Sequence, residues 1–256
     1  MLLPDYSQLE LRILAHLSED KDLIQSLRAG KDVFKSVAGE INDCEEDEVT
    51  DTMRQQAKQI VYGVIYGIGD KSLGDQLGVE MTEAARFMEN FKSKYSGVRR
   101  FLLDCVVSAR RSGGVETLSG RRRRLADINA PNVARRSAAE RQAVNTRVQG
   151  SAADLVKAAM VNIDKKMEEM WPRCQPLKTS LARGVKWRTE ELTGSWLVLQ
   201  LHDELIYEVS GEKVMEVSQI VKVGMEEAVK LSVPTPVRIK VGASWGELQD
   251  FHVDKY

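Results

Sequence analysis

Strand-like segments near both ends of this 256-residue chain enclose a long helical middle. Runs of apolar residues bounded by polar ones predict strands at residues 196–201 and 205–209, and a last strand at 236–241. Apolar residues at helical spacing predict one long helix at residues 134–170, with Gly150 as a weak point. This order predicts an α+β fold, in which an antiparallel sheet is flanked by helices and carries an inserted helical subdomain.

Shorter helices are predicted from apolar spacing and from capping residues. Thr50 or Asp51 can cap the start of one helix that Gly67 ends, and Thr82 can cap another. A short strand is predicted at residues 115–118, and residues 171–195, with two Pro and two Gly, are the best candidate for an insertion. The helices are predicted at residues 9–17, 20–29, 32–41, 50–66, 82–95, 98–112 and 212–231.

Charge is distributed unevenly although the net charge is −1. Between Arg99 and Arg147 the chain has twelve Arg, no Lys and four acidic residues. A basic stripe of this density suits a polyanion such as nucleic acid, although a solvated face is the alternative. The three Cys lack metal-binding spacing, which favours a reducing compartment. The three His are too scattered for a zinc site, and no apolar run reaches the ~18 residues of a membrane span.

Two aspartates, almost 200 residues apart, are candidate metal ligands. Asp5 follows the first apolar residues, and Asp203 lies in His202-Asp203-Glu204, at the predicted tip of a hairpin. Two such carboxylates can hold two Mg²⁺ ions about 4 Å apart for nucleotidyl transfer. Mg²⁺ prefers a few carboxylates together with waters and phosphate oxygens. A surface role for either aspartate is the alternative.

Two helices carry polar residues at intervals of four, which places them along one stripe of each helix. In the helix at 50–66, two cations that can hold a triphosphate precede two aromatic rings that can stack near sugar and base. In the long helix, a cation and two amides can contact template phosphate and base edges. A surface helix and ordinary helix packing are the respective alternatives. The first stripe is Arg54, Lys58, Tyr62 and Tyr66, and the second is Arg141, Asn145 and Gln149.

Four motifs in this order resemble those of the family A DNA polymerases, most closely of the theta-type members. Asp-Tyr-Ser-Gln-x-Glu-Leu-Arg begins at Asp5, and Arg-x3-Lys-x3-Tyr-Gly-x2-Tyr-Gly begins at Arg54. Glu-Arg-x3-Asn-x3-Gln-Gly-Ser-Ala-Ala-Asp begins at Glu140, and His-Asp-Glu begins at His202. The resemblance covers nearly the whole chain. Residues 171–195 lie where theta-type enzymes carry an extra insertion.

The resemblance implies the palm and fingers of a right-hand polymerase. Residues 1–19 and 114–256 would form the palm, and residues 20–113 the fingers. The thumb, the exonuclease-like domain and the helicase-like part of such enzymes are expected to be missing from this chain. The implied partners are primer-template DNA and dNTPs, with no membrane, and the implied cofactor is a pair of Mg²⁺ ions.

The resemblance also assigns roles to individual residues. Glu10 would be a steric gate that hydrogen-bonds Tyr66 and crowds a ribose 2′-hydroxyl. Tyr62 would pack against the incoming sugar. The further roles that it implies are metal binding by Asp5 and Asp203, a supporting role for Glu204, triphosphate binding by Arg54 and Lys58, contact with primer-template by Arg141, Asn145 and Gln149, approach to the primer terminus by His202, and contact with the DNA backbone by the run Arg121, Arg122, Arg123 and Arg124.

Three functions remain open. The first is a template-directed DNA polymerase that serves repair, by end joining or lesion bypass, in the nucleus. The second is a single-subunit RNA polymerase, which the bulky Glu10 argues against. The third is a truncated fragment that binds DNA or a protein partner without catalysis, which the position of Asp5 so near Met1 favours.

Overall fold

The computed structural model describes residues 1–171 and 195–253. The predicted insertion at residues 171–195 falls almost wholly outside these residues. Contacts divide the chain into two compact units. The sheet unit consists of Met1–Leu9, Leu155–Lys230 and Thr235–Tyr256, and the helical unit of Glu10–Asp154 and Leu231–Pro234.

The order of helices and strands follows the predicted pattern of strand, helical middle and strands. None of the helices in the described residues is long and apolar enough to cross a membrane. The strands are β1 (Leu2–Tyr6), β2 (Gly114–Glu116), β3 (Arg122–Arg124), β4 (Ser195–Leu201), β5 (Glu204–Val209), β6 (Val237–Val241) and β7 (Gln249–Phe251). The helices are α1 (Leu9–Ser18), α2 (Lys21–Arg28), α3 (Val33–Asn42), α4 (Asp51–Tyr66), α5 (Asp70–Leu77), α6 (Met81–Lys94), α7 (Ser96–Ser112), α8 (Val133–Met170) and α9 (Val214–Glu226).

The sheet unit is built on an antiparallel sheet of strand order β4-β5-β1-β6-β7. Strand β1 is central and is buried along almost its whole length, as its apolar sequence requires. Helix α9 packs on the sheet, where the Tyr6 hydroxyl donates to the Met225 carbonyl at 2.6 Å. The last turns of α8 pack tightly on α9, because a Cβ at Gly224 would lie 2.5 Å from Ile163 Cγ1. Strands β1 and β5 lie side by side in this sheet.

The helical unit has its own hydrophobic core and its own buried polar link. Buried residues from the second half of α7, from β2, from the segment after β3 and from the first part of α8 form one cluster. Asp20 caps α2 by accepting from Leu23 N at 2.9 Å, and its second oxygen accepts from Gly97 N at 2.7 Å. This carboxylate therefore joins α2 to the start of α7. The cluster comprises Cys105, Ala109, Val115, Leu125, Ile128, Ala139, Ala143 and Val144.

The predicted helices at 50–66 and 134–170 are confirmed. Thr50 Oγ1 accepts from Met53 N at 3.3 Å at the start of α4, and Gly67 ends it with a φ of +66°. Helix α8 runs through Gly150 without interruption. Gly150 packs against Thr117, and a side chain at this position would clash with it.

Several predicted boundaries are wrong. Thr82 does not cap α6, which begins at Met81 without a side-chain cap. Helix α9 ends at Glu226 and not near residue 231. At this end the Thr235 hydroxyl donates a hydrogen bond to the Glu226 carbonyl, and Val237 N donates one to the Glu226 side chain. Glu204 is the first residue of β5 and not part of the hairpin tip. Helix α5 and strands β3 and β7 were not predicted.

Candidate functional site

Strand pairing in the sheet unit gathers the predicted carboxylates. Asp5 on β1 lies directly opposite Glu204 on β5, and Tyr6 N donates to the Asp203 carbonyl at 3.4 Å. Directly opposed residues of antiparallel strands project from the same face of the sheet. Asp203 lies in the two-residue turn just before β5. The structure thus brings Asp203 and Glu204, which follow Asp5 by 198 and 199 positions in sequence, to the same place on the sheet as Asp5.

The electrostatics of this cluster suit a cation. Burial and, after it, the negative charges of Asp203 and Glu204 raise the pKa of Asp5 to about 6, although the positive charges of Lys240 and Arg238 act in the opposite direction. A nearby divalent ion reverses such a shift, because it stabilises the charged carboxylate. The donor set consists of carboxylate oxygens, which are the ligands that Mg²⁺ prefers.

The carboxylate cluster is not a complete metal cage. In residues 1–171 and 195–253, no group of three or more His, Cys, Asp or Glu side chains is placed so as to hold a metal ion. Mg²⁺ commonly keeps several waters and takes substrate phosphates, so that one or two protein carboxylates suffice. The residues present therefore fit a magnesium site that a substrate completes.

His202 occupies the first position of the turn between β4 and β5. Its φ is +54°, which is uncommon for a residue other than glycine. The Gln200 side chain donates to the His202 carbonyl at 2.5 Å and so helps to hold the turn. The imidazole side chain is exposed, as contact with a primer terminus would require.

Arg54, the first residue of the stripe on α4, lies at one end of a row of aromatic rings. Arg54 Nε donates to Asp32 Oδ2 at 2.7 Å, and its guanidinium carbon lies 5.5 Å from the centre of the Phe34 ring. The Phe34 and Tyr62 rings are 5.9 Å apart, and Tyr62 stacks on Tyr66 at 5.7 Å. A guanidinium therefore lies at one end of a row of three aromatic rings, of which Phe34 is buried and the two tyrosines are half-buried.

Lys58 is the second cation of this stripe. It lies between Arg54 and Tyr62 on α4, and its side chain is exposed. A lysine ammonium is a compact charge with three rotatable donors, which can bind a phosphate oxygen.

Glu10 and Tyr66 form the predicted hydrogen bond, with the tyrosine hydroxyl as donor. Burial raises the pKa of Tyr66, the hydrogen bond with Glu10 raises it further, and a hydrogen bond with Gln149 acts in the opposite direction. The hydroxyl therefore stays protonated and keeps the Glu10 side chain in place. Helices α1, α4 and α8 each supply one of these three side chains.

The stripe on α8 lies beside the end of α4. Arg141 packs against Gly67, whose Cβ, if present, would lie 2.9 Å from Arg141 Cγ. The side-chain oxygen of Asn145 is buried and has no hydrogen-bond partner among the described residues. A buried acceptor without a partner carries a free-energy cost, which a ligand donor can remove.

The arginine run of the β2–β3 hairpin is engaged within the helical unit. Arg121 Nε donates to Asp154 Oδ1 at 2.9 Å, and its Nη2 donates to the Gly150 carbonyl at 3.0 Å. Arg122 donates to the Ser112 carbonyl at 3.0 Å. Both residues are exposed, and an arginine has five donor hydrogens, so these bonds leave donors for phosphate.

Sequence reasoning missed Asp32 and Phe34, which touch Arg54. The start of α3 was predicted near residue 32, and an aspartate before an apolar helix is a recognisable cap. Nothing in the sequence indicated that its second oxygen reaches an arginine 22 positions away.

Comparisons with known proteins agree with the motifs. The family model described as DNA polymerase family A matches residues 1–247. DNA polymerase theta is 51% identical in Mus musculus and 40% in Drosophila melanogaster, over 99% of this chain in each case. DNA polymerase I of Geobacillus stearothermophilus is 40% identical over 94% of the chain. This chain spans 10% and 12% of the two theta relatives and 25% of the bacterial one.

A solved structure has a similar fold. It is the POL domain of Pol1 from M. smegmatis in complex with DNA primer-template and dNTP. The similarity has a TM-score of 0.84 at 38% identity, and it covers 95% of this chain and 39% of that one.

Proposed function

Because this chain belongs to the family A DNA polymerases, we propose that it carries out template-directed addition of dNTPs to a primer 3′-hydroxyl. The observation that carries the proposal is the pairing of Asp5 with Glu204 beside Asp203, which gives the sheet unit a cluster of carboxylates suited to Mg²⁺. The solved relative was captured with primer-template and dNTP, which supports the same two partners for this chain.

In this proposal the carboxylates hold the cofactor. Asp5 and Asp203 bind two Mg²⁺ ions, and Glu204 supports them from the neighbouring strand position. When bound, the ions supply activation of the primer hydroxyl and stabilisation of the charge on the leaving pyrophosphate.

The helical unit binds the nucleotide in the same proposal. Arg54 and Lys58 grip the triphosphate, and Lys58 also offsets charge that develops on the leaving group. Tyr62 packs against the sugar. Glu10, held by Tyr66, crowds a ribose 2′-hydroxyl and so favours dNTPs over rNTPs.

The remaining assigned residues contact DNA in this proposal. Arg141, Asn145 and Gln149 meet the primer-template near the new base pair, and Arg121 and Arg122 meet its backbone. His202 approaches the primer terminus. The theta-type resemblance extends the proposal to DNA repair, by end joining or lesion bypass, in the nucleus.

Primer extension by the purified chain tests the proposal. The assay uses a 5′-labelled primer on a template with Mg²⁺, with each dNTP or rNTP supplied in turn. We expect templated dNTP addition that falls by about 100-fold or more in Asp203→Asn, because a group that acts on transition-state charge is removed. The matched control is Asp250→Asn, which neutralises an exposed aspartate on β7 of the same unit and should extend normally.

Two outcomes would decide against parts of the proposal. Extension that survives Asp203→Asn in Mg²⁺ would refute the metal assignment. Binding of primer-template by a folded chain that adds no nucleotide would favour the non-catalytic DNA-binding function instead.

A further inference from the structure

Arg54 is fixed along one edge of its guanidinium group. Its Nε donates to Asp32 Oδ2 at 2.7 Å, and its guanidinium carbon lies over the Phe34 ring, 5.5 Å from the ring centre. Phe34 is 1% exposed and therefore cannot shift easily. Within the residues that the structure describes, the terminal nitrogens of Arg54 have no protein acceptor, so both remain available to a ligand.

Asp32 is itself fixed by the start of helix α3. Its Oδ1 accepts from Phe34 N at 3.0 Å and from Lys35 N at 3.4 Å, which is the geometry of a helix N-cap. One oxygen therefore anchors the carboxylate to the helix, and the other orients Arg54. Because the same carboxylate caps α3 and accepts from Arg54, the backbone of α3 sets the direction of the guanidinium group.

We propose that Asp32 is a positioning residue that directs the two terminal nitrogens of Arg54 toward the triphosphate of the incoming dNTP. The inference rests on the proposed function, since it takes a nucleoside triphosphate as the ligand of Arg54. The planar fork of arginine binds phosphate oxygens through two parallel N–H donors. A guanidinium that is already oriented loses less conformational entropy on binding than a free one.

The negative charge of Asp32 makes the proposal easy to refute. A carboxylate near a bound triphosphate repels it, so charge alone predicts that neutralising Asp32 tightens nucleotide binding. Orientation of Arg54 predicts the opposite sign. The direction of the change therefore separates the two effects.

Asp32→Asn is the informative variant. Asparagine has one side-chain oxygen and caps helices about as well as aspartate. If that oxygen keeps the cap on α3, the amide NH₂ faces the donor Nε of Arg54, and the two donors repel. The matched control is Asp43→Asn at the other end of α3, which removes the same charge at a left-handed position that asparagine tolerates.

The experiment measures dissociation constants of dTTP and of inorganic tripolyphosphate by isothermal titration calorimetry on the full chain. The proteins are the unaltered chain, Asp32→Asn, Arg54→Ala, the double variant and Asp43→Asn. We expect Asp32→Asn to weaken dTTP binding by about 3- to 10-fold, the range expected for an oriented charged hydrogen bond. The double variant should bind no more weakly than Arg54→Ala alone, because the favourable effect of Asp32 acts only through Arg54. Asp43→Asn should bind normally.

Unchanged or tighter dTTP binding by Asp32→Asn would overturn the positioning role, and so would losses that add in the double variant. Failure of the unaltered chain to bind either ligand would overturn it as well, together with the triphosphate role of Arg54. If the chain binds dTTP but does not extend a primer, the polymerase proposal fails, while the double-mutant comparison still decides the role of Asp32. Where extension is measurable, Asp32→Asn should raise KM for dTTP more than it lowers kcat.

Discussion

Asp20 connects two helices through one buried carboxylate, so its removal should destabilise the helical unit more than the loss of an ordinary cap. The side chain is 4% exposed. It accepts from Leu23 N at the start of α2 and from Gly97 N at the start of α7. Asp20→Ala removes both acceptors and leaves the Gly97 N–H buried without a partner.

The magnitude follows from these two bonds. Loss of the cap costs about 1 kcal/mol. An unpaired buried donor costs about 1–3 kcal/mol more. The free energy of unfolding should therefore fall by about 2–4 kcal/mol in Asp20→Ala. Asp20→Asn should lie between the alanine variant and the unaltered chain, because its single oxygen can serve only one of the two donors.

Urea unfolding, followed by circular dichroism, measures this difference. Thr50→Ala is the matched control, because Thr50 caps α4 through one exposed hydrogen bond and joins no second helix within residues 1–171 and 195–253. The control should lose about 0.5–1 kcal/mol. If Asp20→Ala lost no more than Thr50→Ala, the link from Asp20 to Gly97 would not contribute to stability, and the reasoning would be refuted.

Three further perturbations test other parts of the structure. Glu10→Ala should raise rNTP use relative to dNTP use in primer extension, and an unchanged ratio would refute its role as a gate. Burial raises the pKa of Cys105 to about 11, so at pH 8 iodoacetamide should label the half-buried Cys44 far faster, and equal rates would contradict this. Gly224→Ala should lower the melting temperature, because its Cβ would lie 2.5 Å from Ile163 Cγ1, and an unchanged value would show that α9 can shift.

Local signals in the sequence predicted the helices that carry their own caps. Helix α4 has Thr50 before it and Gly67 after it, and both act as predicted because capping involves only nearby backbone groups. Helix α5 was missed because it is eight residues long and contains Gly74, a poor helix former. Gly74 is required by packing, since a Cβ there would lie 2.8 Å from the Val79 carbonyl. That contact cannot be read from local propensity.

In the candidate site, too, local spacing predicted some features, whereas others depend on packing and on strand register. The four-residue spacing on α4 predicted the shared stripe of Arg54 and Tyr62, and the structure places both in one row with Phe34. The contact between Asp32 and Arg54 could not be predicted, because it depends on how α3 packs against α4. The pairing of Asp5 with Glu204 depends on strand register, and a slip of one residue would place the two side chains on opposite faces.

Strand register also determines which charged residues lie opposite Asp5 on its two neighbouring strands. Asp5 has Glu204 opposite it on β5 and Arg238 opposite it on β6. The positive charges of Arg238 and Lys240 lower the pKa of Asp5, yet burial and the two neighbouring acids outweigh them and leave it at about 6. The compensation by β6 is therefore partial. A fully compensated carboxylate would gain little from a cation, whereas this one retains uncompensated repulsion that a divalent ion can relieve.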